Sequence, residues 1–125
     1  MARFLWICLG GAIGTGARYL LSGWLLRITG SVFPYGTLAV NVIGSFLLGF
    51  LMEAALAADF PPTLRLALTT GVMGGFTTYS TFNYETLQLF QEDAWFLGVA
   101  NLGITVTACL VAGVLGLAAG RLVAG

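Results

Sequence analysis

The sequence contains no histidine and no lysine, and charged residues make up only 8% of its 125 positions. Five arginines balance five acidic residues, so no excess of positive charge is available to neutralise the phosphates of a nucleic acid. The absence of histidine excludes imidazole-based metal binding and proton transfer. Because the sequence also offers no activated nucleophile and no cluster of metal ligands, we expect that the chain is not an enzyme.

The scarcity of polar residues indicates a membrane protein. Hydrophobic residues make up 58% of the chain, and its mean hydropathy is +0.96. So few polar side chains could not cover a small soluble fold, whereas lipid accepts apolar groups on every side of a helix. Cys8 and Cys109 both lie inside apolar runs, where the pattern favours small buried residues over a disulfide.

Four apolar runs of membrane-spanning length follow one another, at about 4–28, 36–58, 63–90 and 95–123. Turn residues rich in glycine, proline and acidic side chains separate them. The pattern predicts an all-α membrane protein in which residues 1–125 form a single domain of four transmembrane helices.

The arginines give only a weak signal for the orientation of these helices. Four spans place both termini on one side of the membrane, together with Arg3, Arg65 and Arg121, whereas Arg27 faces the other side. Basic residues near helix ends set topology, and three against one is a small bias. The sequence therefore allows insertion in both orientations.

The middle of the third run is unsuited to a continuous helix. Its sequence over 74–82 is Gly-Gly-Phe-Thr-Thr-Tyr-Ser-Thr-Phe, preceded by Gly71. We predict a break near 74–78, at membrane depth, where non-helical backbone is tolerated only if protein buries it or water lines it. Freed carbonyls at such a break suit a small cation such as Na⁺, and the N–H groups and hydroxyls of the half-helix that follows suit an anion.

Ionisable and aromatic residues near the break are candidates for function. A charge in the membrane costs at least about 2.5 kcal/mol, which makes Arg18 and Glu85 functional candidates, although Arg18 alternatively snorkels to a helix end. Tyr79, Phe82 and Thr86 share one face after the break. The positive edge of an aromatic ring can accept a small anion.

Polar and small residues also recur at helical spacing on the other helices. Asn41 shares a face with Ser45, and Thr105 shares one with Asn101 and Cys109. Interhelical hydrogen bonding explains each of these alone, and together they describe a donor-lined route. Small residues permit close packing, within the chain or against a second subunit, at 10, 14, 108, 112, 116 and 120.

The whole chain resembles the fluoride channel family known as Fluc or CrcB. The 74–82 segment is the specific marker, and support comes from Gly36-Thr37-Leu38 leading to Asn41 and from Gly10-Gly11 followed by Arg18. The resemblance implies a four-helix subunit of an antiparallel, dual-topology homodimer in the lipid bilayer, with two fluoride pores and a structural Na⁺ at its centre. It also implies passive fluoride efflux across the bacterial plasma membrane, which lowers fluoride toxicity in the cytoplasm.

The same resemblance assigns roles to individual residues. It places the structural Na⁺, which is not transported, on main-chain oxygens of Gly74 and Thr77, and it places Arg18 at an aqueous vestibule that attracts anions. Tyr79 departs from the family, which has phenylalanine there, but it keeps the positive ring edge and adds a hydroxyl. The implied fluoride pore comprises Asn41, Tyr79, Ser80, Thr81, Phe82, Glu85 and Thr105.

Two other membrane functions compete with a fluoride channel. Small multidrug exporters are also dual-topology four-helix chains, but they work through a glutamate in the first helix, where this chain has Arg18 and no carboxylate. A non-transporting membrane subunit would leave the glycine break and its hydroxyl residues without a purpose.

Overall fold

The structure, a computed structural model, describes residues 1–30 and 32–124 and is built from helices, with no strand among these residues. Helix α1 covers Ala2–Thr29 and helix α2 covers Tyr35–Ala57. The third apolar run begins as α3 (Pro62–Leu66), continues as a π-helical stretch (Ala67–Met73) and ends as α4 (Gly74–Phe76). Helix α5 (Tyr79–Gln91) and helix α6 (Trp95–Ala124) complete the chain.

Local sequence explains where the helices end. Gly30 adopts the left-handed conformation, with φ of 53°, and its N–H bonds the carbonyl of Leu26 to close α1. Pro62 stands in the first turn of α3, where the N–H that proline lacks has no helical partner in any case. Asp59 and Asp93 have φ of 56° and 59° in the turns that follow α2 and α5. The observed helix limits lie within two residues of the predicted ones.

Three helices in the described part of the chain, α1, α2 and α6, are long and apolar enough to cross a membrane. The chain is therefore a multi-pass membrane protein. The third run differs from the other three because two extended residues, Thr77 and Thr78, divide it. The division lies inside the range predicted from the glycines.

Glycine on α6 allows close packing against α2. A Cβ added at Gly116 would overlap the carbonyl oxygen of Phe46, and one added at Gly120 would lie 2.8 Å from that of Phe50. The backbones can approach this closely only because these positions lack a side chain. The small residues at 116 and 120 thus pack within the chain, which was one of the two alternatives that the sequence left open.

Glycine also brings α1 against the π-helical stretch. A Cβ at Gly10 would overlap the carbonyl oxygen of Ala67, and one at Gly14 would overlap that of Val72 and lie 2.9 Å from the amide nitrogen of Phe76. This contact fixes the half-helix that leads to the break directly against α1.

Charged residues at the helix ends agree with the predicted distribution of arginines. The guanidinium Nε of Arg121 lies 3.5 Å from Oε1 of Glu53, so the last turns of α2 and α6 lie at the same end of the bundle. The start of α1 packs near Ala67, just beyond Arg65. Arg3, Arg65 and Arg121 therefore share one end, and Arg27, at the close of α1, lies at the other.

Substitution of Gly14 by alanine tests the contact between α1 and the π-helical stretch. The added methyl group must displace backbone rather than a flexible side chain, so we expect a loss of about 1–3 kcal/mol in the free energy of unfolding. Reversible unfolding in detergent micelles measures it. The matched control is Gly16→Ala on the same helix, where a Cβ meets nothing within 4 Å. Equal stability of the two variants would contradict the contact.

Candidate functional site

The break in the third run is the centre of the candidate site. Thr77 has φ −87° and ψ 158°, and Thr78 has φ −151° and ψ 114°, so both are extended between α4 and α5. The side chain of Thr78 caps α5, since its oxygen accepts a hydrogen bond of 3.2 Å from the N–H of Thr81. A threonine cap thus starts the second half-helix in the middle of the apolar run.

Helix α2 holds the break in place through Asn41. The side-chain amide of Asn41 donates to the carbonyl of Thr78 at 3.0 Å, and its oxygen accepts from the N–H of Thr78 at 2.8 Å. Both backbone groups of one extended residue are thereby paired, at a place where water is scarce. Gly44, one turn later, leaves room for the methyl group of Thr77. Asn41 is only 9% exposed and keeps one amide hydrogen beyond the one it donates.

The same hydrogen bonds free two carbonyl groups. In a continuous helix the N–H of Thr78 would bond the carbonyl of Gly74, and the N–H of Thr81 would bond that of Thr77. Here the first goes to Asn41 and the second to the side chain of Thr78. The hydroxyl of Thr77 donates to the carbonyl of Met73, so it does not occupy the main-chain oxygen of Thr77 either. The oxygens of Gly74 and Thr77 therefore fit the donor set of a small hard cation.

Arg18 of α1 bonds the carbonyl of Gly75, which lies between Gly74 and Thr77 in the sequence. Its Nε donates to the carbonyl of Gly75 at 3.1 Å, so the positive side chain lies at the C-terminal end of the first half-helix, where a cation is favourable. Arg18 is half-buried. Its side chain therefore pairs with backbone at the break, and the vestibule role stays a prediction.

A cavity of about 540 Å³ lies beside the break. Arg18 and Ser22 of α1 line it, together with three polar side chains from one face of α5, Thr81, Glu85 and Gln88, and with Glu92 directly after that helix. Within residues 1–30 and 32–124, Oε1 of Glu85 is buried without a hydrogen-bond partner. One arginine and two glutamates thus face the same space.

The aromatic pair after the break is divided between the interior and the surface. The rings of Tyr79 and Phe82 meet edge to face, with centroids 5.8 Å apart and an interplanar angle of 72°. Phe82 is 6% exposed, whereas Tyr79 is 77% exposed. Ser80, Asn83 and Tyr84 are exposed as well, so α5 carries a polar outer face.

Thr105 belongs to a buried network rather than to the cavity wall. Its hydroxyl donates to Oδ1 of Asn101 at 3.2 Å, and Nδ2 of Asn101 donates to the hydroxyl of Thr86 at 2.7 Å. Thr86 in turn donates to the carbonyl of Phe82 at 2.7 Å. The three polar side chains are 1–5% exposed.

Comparison with known proteins identifies the family. The model of the family described as "CrcB-like protein, Camphor Resistance (CrcB)" matches residues 5–117. The chain belongs to the CrcB family. The CrcB chain is 60% identical over 127 residues to a protein of Sorangium cellulosum (strain So ce56), with 100% of both chains covered. That protein is named fluoride-specific ion channel FluC.

Two further relatives of the CrcB chain carry the same name. The protein of Anaeromyxobacter sp. (strain K) is 59% identical over 113 residues, which cover 90% of each chain. That of Citrifermentans bemidjiense is 45% identical over 122 residues, which cover 97% of this chain and 98% of the relative. The expectation that the chain is not an enzyme agrees with these channel names.

The structure of the CrcB chain brings the predicted site residues together in three groups. Gly74, Thr77 and Asn41 lie at the break, Arg18, Thr81 and Glu85 line the cavity, and Tyr79 and Ser80 lie on the outer face of α5. Phe82 and Thr105 belong to none of these groups and are buried inside the chain.

Sequence reasoning missed three contributors to the site of the CrcB chain. Thr78 caps α5, and its backbone pairs with the side-chain amide of Asn41. The available signal in the sequence was a threonine directly before a helical run. Gln88 and Glu92 follow Glu85 at helical spacing, which would have placed them on the same wall of the cavity.

Replacing Asn41 by leucine tests whether its amide sustains the break. The variant leaves the N–H and C=O of Thr78 unpaired, and each buried unsatisfied group costs about 1–3 kcal/mol. We expect lower unfolding stability and much faster amide hydrogen exchange at Thr78, measured by mass spectrometry in micelles. Ser45→Ala, one turn later on α2, is the control. Unchanged protection of Thr78 in the leucine variant would contradict the role of Asn41.

Proposed function

We propose that the chain is the subunit of a fluoride-selective ion channel that lets fluoride leave the cytoplasm passively and so lowers its toxicity. The break at Thr77 and Thr78 carries this proposal, because it gathers hydrogen-bond donors beside a charged cavity in the membrane. Support comes from the full-length relatives that are named fluoride-specific ion channels.

The donors that replace the water around fluoride come from α2 and from the first turn of α5. Thr81 accepts a hydrogen bond from the hydroxyl of Thr78, so its own hydroxyl hydrogen is free to point into the cavity that it lines. Asn41 retains one amide N–H, and Ser80 adds a hydroxyl in the first turn of α5. Fluoride is small and strongly hydrated, so a pore must offer donors at short range, and the larger chloride gains less from them.

Charge and aromatic edges complete the route. Arg18 raises the local concentration of anions at the cavity. Glu85, on the opposite wall, repels them, so the ion passes between an attractive and a repulsive group. The ring edges of Tyr79 and Phe82 then receive the anion where hydroxyl donors end.

The polar outer face of α5 favours a second copy of the chain as the partner. Tyr79 is 77% exposed and Tyr84 is 66% exposed, and Ser80 and Asn83 lie exposed beside them. Polar side chains near the middle of a membrane face protein or water, because lipid offers them no hydrogen bonds. A homodimer covers this face, and the weak arginine bias permits its two subunits to insert antiparallel.

A structural Na⁺ fits at the centre of such a dimer. The main-chain oxygens of Gly74 and Thr77 would hold it, since their helical partners are diverted to Asn41 and Thr78. Gly74 is exposed in the single chain, so a second copy can bring its own carbonyls to the same ion. The cation would offset the negative ends of the carbonyl dipoles at two adjacent breaks.

Fluoride efflux from liposomes tests the function. With purified protein in Na⁺ buffer, a fluoride electrode is expected to record fast release, and a chloride electrode little release under the same gradient. Phe82→Ile removes a ring edge and should slow fluoride by about tenfold, the factor that corresponds to ~1.4 kcal/mol. Phe96→Ile, at a position 83% exposed on α6, is the matched control.

Two outcomes of the efflux measurement would contradict parts of the proposed function. Folded protein in Na⁺ that releases no fluoride would exclude a fluoride channel, and Phe82→Ile at the wild-type rate would remove the ring edge from the mechanism. Exchanging Na⁺ for N-methylglucamine on both sides is the cation control, and undiminished release there would exclude a required Na⁺.

Cysteine labelling tests the antiparallel dimer. A single cysteine at position 2 in a Cys8→Ala, Cys109→Ala background is expected to react with a membrane-impermeant maleimide from both faces of the membrane. About half of the chains should react from each side, because an antiparallel pair exposes one N-terminus to each face. Reaction from one face only, in spheroplasts and in inverted vesicles compared side by side, would contradict dual orientation.

A further inference from the structure

Four groups on α5 and α6 form a chain of hydrogen bonds that all run in one direction. The hydroxyl of Thr105 donates to the amide oxygen of Asn101, whose amide nitrogen donates to Thr86. The hydroxyl of Thr86 donates to the carbonyl of Phe82. Bonds aligned in this way polarise and strengthen one another in a medium of low dielectric constant. The chain therefore ends on the backbone of a residue in the proposed pore.

The network favours one orientation of the Asn101 amide. An amide side chain offers an oxygen acceptor on one side and N–H donors on the other. Because the hydroxyl of Thr86 donates to the carbonyl of Phe82, its oxygen is left to accept a hydrogen bond, and the amide nitrogen of Asn101 faces it. Asn101 is 1% exposed and Thr86 is 3% exposed, so water cannot replace either partner.

The hydrogen bond from Asn101 reaches the face of α5 that carries Phe82. Residues four apart on a helix lie one above the other, and Thr86 follows Phe82 by four positions. The extended residues Thr77 and Thr78 separate α5 from the first half-helix, so the helical backbone before the break does not set the rotation of α5. The bond from Asn101 of α6 to Thr86 holds this face of α5 toward α6.

We propose that Thr86 and Asn101 are positioning residues of the ion pathway, which fix the rotation of α5 and with it the direction of the Phe82 ring. This inference rests on the proposed channel function. Thr105 acts one step earlier, because its hydroxyl donates to the amide oxygen of Asn101. The network thereby determines how sharply the pore distinguishes fluoride from chloride.

The permeability ratio of fluoride to chloride tests the proposal, because that ratio does not depend on how many channels have folded. Thr86→Val keeps the shape of the side chain and loses the hydroxyl, and Asn101→Leu removes the amide. Each is expected to lower the ratio of fluoride to chloride permeability about tenfold. Thr86→Ser, which keeps the hydroxyl, is expected to have the wild-type ratio. Thr107→Val, at an exposed threonine of α6, is the matched control.

A spectroscopic measurement addresses the ring directly and does not require conduction. The chain is labelled with 4-fluorophenylalanine, and the ¹⁹F resonance of Phe82 is assigned by its loss in Phe82→Leu. We expect one narrow resonance in the wild type and in Thr86→Ser, and a shifted or split resonance in Thr86→Val and Asn101→Leu. Thr107→Val should match the wild type.

The two readouts separate the positioning role from the channel function. A wild-type ratio and an unchanged Phe82 resonance in Thr86→Val and Asn101→Leu would overturn the positioning role. If the wild type itself releases no fluoride, the channel function fails, and the resonance alone then decides whether the network holds the ring. If Thr86→Ser lost as much selectivity as Thr86→Val, the proposal would also be overturned, since the hydroxyl would then not be the responsible group.

Discussion

The pairing of Asn41 with Thr78 is the interaction on which the other features of the site depend. Two extended residues at membrane depth carry backbone groups that lipid cannot satisfy, and one buried amide satisfies both groups of Thr78. That pairing diverts the N–H that would close the helix over Gly74. A single side chain on α2 thus both permits the break and frees a carbonyl oxygen.

Close packing and polar contacts support the break from several sides. Gly14 lets α1 approach the half-helix before the break, and from the same helix Arg18 bonds the carbonyl of Gly75. Gly44 of α2 leaves space for Thr77, and Asn101 of α6 bonds Thr86 beyond the break. Each of α1, α2 and α6 therefore contributes at least one contact, and the half-helices, which are too short to be stable alone, hold their places through these contacts.

Much of the architecture was predictable because a chain that crosses lipid must pair its backbone polar groups internally, which restricts the secondary structures it can form. Runs of apolar residues at membrane length predict helices, and the glycines over 71–75 predict where one must break. Individual contacts were harder to predict. Asn41 and Thr105 were assigned to the pore, and the sequence did not reveal their partners in the structure. Asn41 pairs with the backbone of Thr78, 37 positions away, and Thr105 bonds Asn101, 4 positions away. Helical spacing gives the face of a residue and not the partner opposite it.

The sequence by itself determined the membrane setting, the helix limits to within two residues, the position of the break and the family. These follow from composition, spacing and local motifs, which act within one helix turn or one run. The tertiary structure alone decided that Asn41 sustains the break, that the glycines of α6 pack within the chain and that Thr86 meets Asn101. Those outcomes depend on how far each helix is rotated about its own axis, and that rotation is set by side chains from different helices packing together in three dimensions.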